Sequence, residues 1–151
     1  MATLDTFIFA LTGFKNNLPK TIDGLVNFHS EEFISVVQSR LFGRGMDGNG
    51  SELESYSERT ILHKVATRQP FNRTTLNETG SFYDGMFVKS NSGLVTLFSS
   101  DNKSSLLEDH YGSAIFDFTE PEQNHLTQTL IEPSIEKILK ELPKHIEISI
   151  T

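Results

Sequence analysis

Asp47, Asn49, Ser51, Leu53, Ser55 and Glu58 fall at positions 1, 3, 5, 7, 9 and 12 of a calcium-loop template, where oxygen ligands wrap a divalent cation. The glycine that the sharp turn requires at position 6 is Glu52 here, and helical periodicity flanks the segment poorly. An Asp47-Gly48-Asn49-Gly50 turn is the simpler reading. The histidines, His29, His63, His110, His125 and His145, are scattered, and none forms the i, i+4 pair of a helix-borne zinc site. Glu108-Asp109-His110 is the densest acid–histidine cluster, and a solvated helix end accounts for it. A metal-dependent hydrolase would draw on Asp47, Asp84, Asp101 and His110, and needs the fold to bring them within ligand distance. No Gly-x-Ser-x-Gly elbow, Walker loop or dinucleotide fingerprint occurs. The sequence therefore assigns no catalytic residue, no cofactor and no metal ligand.

Charge narrows the partners. The formal net charge of −7 opposes direct binding to duplex DNA, which is driven by counterion release from a basic surface. Arg59, Lys64, Arg68 and Arg73 make one local basic stretch, expected to be solvated because Arg59 and Lys64 do not share a helix face. An acidic partner, or DNA passing nearby, is the other use for it. With no cysteine, disulfides and thiolate chemistry are excluded, in keeping with a reducing cytoplasm. No apolar run approaches the ~20 residues that span a bilayer. The short run Phe7–Leu11 follows Asp5 rather than a basic residue, so it does not read as a secretion signal, and no membrane contact is expected.

The elements that would carry these residues are legible in part. The 151 residues suit a single structural domain, 1–151, with a modest core, since only 36% are hydrophobic. Leu4, Phe7, Leu11, Phe14 and Leu18 form one helical stripe that Thr3 can cap and Pro19 should end, giving an N-terminal helix over 1–20. Gly13 inside it lowers its intrinsic stability by ~1 kcal/mol, so the helix needs a partner surface, its own core or a neighbouring subunit.

Ser30 can cap a second helix through Phe33, Val36, Val37, Arg40 and Leu41, ended by Gly43. Ser57 can cap a third through Ile61, Leu62 and Val65. Phe87–Lys89 and Leu94–Phe98 are β-rich runs separated by Asn91-Ser92-Gly93, which predicts a hairpin. Residues 103–111 suit a short helix before Gly112, and Ile115–Phe118 alternates as a strand would. Thr119 then caps a closing helix that Pro133 should kink or split, and His145–Thr151 alternates Ile146, Ile148 and Ile150 as an edge strand. The expected class is α+β: a small antiparallel sheet with a hairpin, flanked by N-terminal and C-terminal helices.

Three further stretches carry a resemblance. They are Gly45-Met46-Asp47-Gly48-Asn49-Gly50, Tyr56-Ser57-Glu58-Arg59-Thr60-Ile61 and Thr75-Leu76-Asn77-Glu78-Thr79-Gly80-Ser81-Phe82-Tyr83. Followed by His110-Tyr111-Gly112, their order and spacing resemble the virion-morphogenesis and tail-completion (head–tail connector) proteins of tailed phages, in the wording of phages of Bacteroidetes-type hosts. The resemblance covers roughly residues 43–142. It departs where that family carries an Arg-Pro-Phe-like segment, a place held here by Ile115–Glu120.

The resemblance implies a structural, non-enzymatic virion subunit, assembled in the host cytoplasm into a homo-oligomeric ring beside other connector or tail proteins. DNA would be passing cargo only. The alternative is an assembly chaperone or other morphogenesis factor absent from the particle. Ring subunits join through heterologous surfaces, for which the candidates are Leu4, Phe7, Leu11 and Phe14, the loop Asp47, Gly48, Asn49 and Gly50, and Ile146, Ile148 and Ile150 in the tail 145–151.

Overall fold

The computed structural model describes residues 2–142 and 146–147, with side chains over 4–142. Ile148 and Ile150, and most of the 145–151 tail, lie outside the described residues. A short strand β1 (Ala2–Thr3) opens α1 (Leu4–Phe28), and α2 (Ser30–Arg44) follows after a single residue. A loop leads to α3 (Glu58–Ala66), and a second loop to the one-turn α4 (Ser81–Asp84). The hairpin strands are β2 (Met86–Asn91) and β3 (Leu94–Ser99), followed by α5 (Ser104–Tyr111). A 3-10 turn (Ser113–Phe116), α6 (Glu120–Leu126), a π-helical turn (Thr127–Ile131), α7 (Glu132–Lys140) and β4 (Ile146–Glu147) complete the order. The architecture is mixed helix and sheet, with helices on both sides of the hairpin, as the patterning predicts.

Several local signals act as read. Ser57 accepts the amide of Thr60 and caps α3, and Gly112 ends α5. Thr119 and Glu122 make a reciprocal capping box at α6, satisfying two amides that the helix leaves unbonded. The hairpin turns on Ser92 and Gly93, both at positive φ, which matches the twist of the paired strands. Pro133 splits the closing helix as expected. It lacks the N–H that would bond the carbonyl four residues back, and the chain widens into the π-helical turn just before it.

Four expectations are corrected. Pro19 does not stop the first helix, which runs on to Phe28. The single backbone bond lost lies on an exposed turn where water can serve Lys15, while Ile22 and Val26 fix the following turns by packing. Gly43 stays helical, and Gly45, in the left-handed conformation, ends α2 instead. Ser30 is the first residue of α2 rather than its cap, a position held by His29. Ile115–Phe118 is no strand: Ile115 and Phe116 belong to the 3-10 turn, and both point into the core. Four alternating residues cannot make a strand without a partner edge, and no strand pairs with them.

Two apolar clusters hold the elements together. One joins Val37 and Leu41 of α2 with Leu76, Phe82, Met86, Leu97, Ile115 and Phe116. The other joins Val26, Phe33 and Leu126 and is bordered by Ile22, Leu130 and Ile131. Arg40 lies between helices with its side chain 4% exposed. It donates to the carbonyls of Met46 (3.0 Å) and Ile115 (3.3 Å) and pairs with Glu122 at 2.5 Å. Asp23 of α1 fastens the hairpin tip, accepting the Ser90 hydroxyl (2.5 Å) and the amides of Ser92 and Gly93 (3.0 Å each).

These contacts set two expectations. Glu122→Gln keeps the cap but strips Arg40 of its counter-charge, so denaturant unfolding should show a loss of about 3 kcal/mol, well beyond the ~1 kcal/mol of a cap. The Asp23 carboxyl is held below its ordinary value of 3.8, first by the Ser90 hydroxyl and then by the Gly93 and Ser92 amides. Because its folded pKa is depressed, its contribution is complete above 3.8 and disappears as pH falls through the lower folded value. Protection of the Ser92 and Gly93 amides, taken as exchange relative to an unstructured peptide at the same pH, should therefore fall on acidification in that window, and Asp23→Asn should abolish the step.

Candidate functional site

The inner cluster uses the turn-rich segments well. Gly48 approaches the 3-10 turn so closely that a Cβ there would stand 2.5 Å from Cβ of Asp117, and its amide donates to the Ala114 carbonyl at 2.7 Å. Asp47 closes its own turn by accepting the amides of Asn49 (2.9 Å) and Ser51 (3.0 Å). The Asp47–Gly50 turn is thus pinned at Asp47 and Gly48, which are half-buried, and of its four residues only Asn49 and Gly50 are exposed. Both bonds fall on one carboxylate oxygen of Asp47, closing a side-chain turn, and Glu52 stands where the calcium template needs glycine.

The residues of the hydrolase reading stay apart in their bonding. Asp101 accepts the Ser81 hydroxyl at 2.9 Å and the Lys103 amide at 3.1 Å, and these bonds hold its carboxyl below the ordinary value. His110 pairs with Glu54 at 3.3 Å on the surface, and Asp84 is exposed on α4. Among the described residues no group of three or more His, Asp or Glu side chains is placed to hold a metal ion. Of the basic stretch, Arg59 and Arg68 are solvated as expected, and Arg73 is half-buried, reaching the Phe42 carbonyl at 2.7 Å. Lys64 departs from the expectation and is buried, at 3% exposure. Nothing in the residue spacing marks it, because the stripe Leu62–Val65 that looked apolar and inward faces solvent instead.

The unusual feature lies along α1 and the closing helix. Neither apolar cluster extends along α1 before Ile22 or along the closing helix beyond Ile131. Val26 is the one fully buried residue of α1, and α7 has none. Leu4, Ile8, Phe9 and Leu11 are 49%, 52%, 79% and 43% exposed, and Leu139 of α7 is 41% exposed. Phe7, Phe14 and Leu18, Ile135 and Ile138 of α7, and Leu142 just after it are only half-buried.

A water-facing helix normally turns such a stripe onto a core, and burying a leucine or phenylalanine contributes about 1.5–3 kcal/mol. Here two amphipathic stretches leave the body at Ile22 and Ile131. At ~1.5 Å per residue, the stretch from Ile22 back to Leu4 projects about 27 Å. The chain ends meet again in a parallel pair, Ala2 opposite Ile146 and Thr3 opposite Glu147.

The interface candidates therefore divide. On α1, Leu4 and Leu11 are exposed and Phe7 and Phe14 half-buried, and the exposed Ile8 and Phe9 on the same helix and Leu139 on α7 are residues that the stripe reading missed. Ile8 and Phe9 were legible as apolar but sit off the 3, 4 spacing, so only their exposure in the fold brings them out. Ile146 lies in the strand that pairs the chain ends. Asn49 and Gly50 are exposed some way off, against the α6 side of the body. No helix among the described residues is long and apolar enough to cross a membrane. Comparison with known proteins gives no match to any family model, curated sequence or solved structure.

Proposed function

We propose that this chain is a structural subunit of a tailed-phage virion, a head–tail connector or tail-completion protein that works in a homo-oligomeric ring around the DNA conduit. The observation that carries the assembly part is the uncovered apolar side of the first seventeen or so residues of α1 together with α7. A patch of this kind on helices that project from a small body is costly in water, and a neighbouring subunit removes the cost. A ring supplies that neighbour on one side and a different surface on the other.

The phage assignment itself is supported by the ordered resemblance across residues 43–142. Its glycine turn, Ser57 cap and Thr79-Gly80 turn all have structural work within the body, leaving the helices outside that body for contact. The activity is packing rather than bond-making, and the net charge of −7 suits a conduit to which DNA should not adhere.

The alternative, an assembly factor that leaves before the particle matures, draws on the same uncovered face. Mass spectrometry of purified particles separates the two, since a structural subunit is retained at a stoichiometric ratio.

Assembly is tested with Ile8→Glu, Leu11→Glu and Leu139→Glu combined, at positions where the fold loses little. Native mass spectrometry should find ring-sized species of the wild-type chain at tens of micromolar and monomers of the triple variant, with circular dichroism unchanged. The association midpoint should rise at least about tenfold. A wild-type chain that stays monomeric, alone and in particles, would overturn the proposal. Removing residues 145–151 should weaken assembly in the same measurement, because it takes away the strand that pairs the chain ends.

A further inference from the structure

Two cations are buried among the described residues, and they are treated differently. Arg40 faces a carboxylate, Glu122. Lys64, 3% exposed in the last turns of α3, takes part in none of the ion pairs among the described residues. Its Nζ donates to the side-chain oxygen of Gln69 and the backbone carbonyl of Asn77, each at 3.0 Å, and lies 4.8 Å from the centroid of the Tyr56 ring. All three partners are neutral. An ammonium taken out of water and met only by neutral dipoles keeps an unbalanced charge, which the low-dielectric surroundings make more attractive to an anion.

That charge borders an open recess of about 200 Å³ between α3, the 76–82 segment and α5. The acids that share the recess are already engaged. Glu78 pairs with Lys103 at 3.1 Å, and Asp101 accepts the Ser81 hydroxyl and the Lys103 amide. The rest of the wall is mixed, with Leu76, Phe82 and Leu107 beside the hydroxyl groups of Thr60 and Tyr111.

We infer that this recess binds a carboxylate carried on a short aliphatic stem, with Lys64 as its counter-ion. Lys64 is the one lysine lining the recess without a carboxylate partner, since Lys103 pairs with Glu78 and its charge also acts on Asp101, and a monoanion is the better match for it. A phosphate dianion would bring a second negative charge toward Glu78 and Asp101. The apolar wall suits the stem, and the volume suits a group the size of a glutamate side chain. Such a carboxylate could belong to a small free acid or to an acidic side chain of a neighbouring protein. The inference is independent of the virion role, because it concerns a different face and survives whether or not the chain forms rings.

The test is an NMR titration of the full chain with four probes. They are butyrate, its amide butyramide, N-acetylglutamate N-methylamide, and the corresponding glutamine compound. Both carboxylates, or one of them, should give saturable shifts at Tyr56, Lys64 and Leu107, with the neutral partner at least about tenfold weaker. Butyrate alone indicates a free acid as the natural source, and the blocked glutamate alone indicates a protein side chain. Lys64→Met, which keeps a flexible stem of similar size without the charge, should abolish the response. Shifts as large with the amides as with the acids, an undiminished response in folded Lys64→Met, or no saturation by about 50 mM would overturn the inference. Should Lys64→Met fail to fold, the acid–amide comparison in the wild-type chain decides alone.

Discussion

The Arg40 guanidinium is the contact on which the body of this molecule depends. One side chain from α2 reaches the loop after it, the 3-10 turn and the first turn of α6, through two carbonyls and a carboxylate. None of those three segments has a ladder of its own to hold it in place. Charge-assisted bonds in a site shielded from water are strong when every partner is present, and leave an exposed debt when one is missing. Glu122 is doubly committed, since the same carboxylate accepts the Thr119 amide and completes the cap of α6. The arrangement couples the position of α6 to that of α2, and with it the direction in which the closing helix departs.

A small core follows from the composition, and so does the way the molecule spends its remaining apolar residues. The two clusters sit where α2, the hairpin, the 3-10 turn and α6 converge. Of the exposed apolar side chains, Leu4, Ile8, Phe9 and Leu11 lie on α1 and Leu139 on α7, helices whose intrinsic stability is poor, while others such as Leu62, Phe71 and Leu94 are scattered over the body. α1 contains Gly13 and Pro19, and α7 is only nine residues long, shorter than helices that persist alone in water. Asp23 offsets part of this weakness by tying the root of α1 to the hairpin tip. Beyond that root, contact with another surface would bury the exposed side chains of α1 with a gain of about 1.5–3 kcal/mol for each one fully covered.

Residues whose role is local were readable from their neighbours. Ser57, Thr119, Gly112 and the Ser92-Gly93 turn act within three or four positions of themselves, so type and spacing suffice. Long-range roles were not readable. Pro19 would break an isolated helix, yet packing at Ile22 and Val26 carries α1 through it. The alternation Ile115–Phe118 imitates a strand because Ile115 and Phe116 both face inward from a tight turn. Lys64 looks like one more surface lysine until α3 is seen to turn it toward Gln69 and Asn77, while Leu62 faces water. The stripe Leu4–Leu18 was plain, but whether anything covered it is a property of the assembled fold and is absent from periodicity.

The π-helical turn at Thr127–Ile131 gives the closing helix an additional property. It holds more residues per turn than the α-helices on either side, so five residues there turn the chain about as far as four of regular α-helix. The extra residue is absorbed as a bulge, and Ile135 and Ile138 keep the bearing relative to Leu126 that an unbroken helix one residue shorter would give them. The surplus therefore lets the chain pass Pro133 without turning the apolar side of the closing helix away from its course.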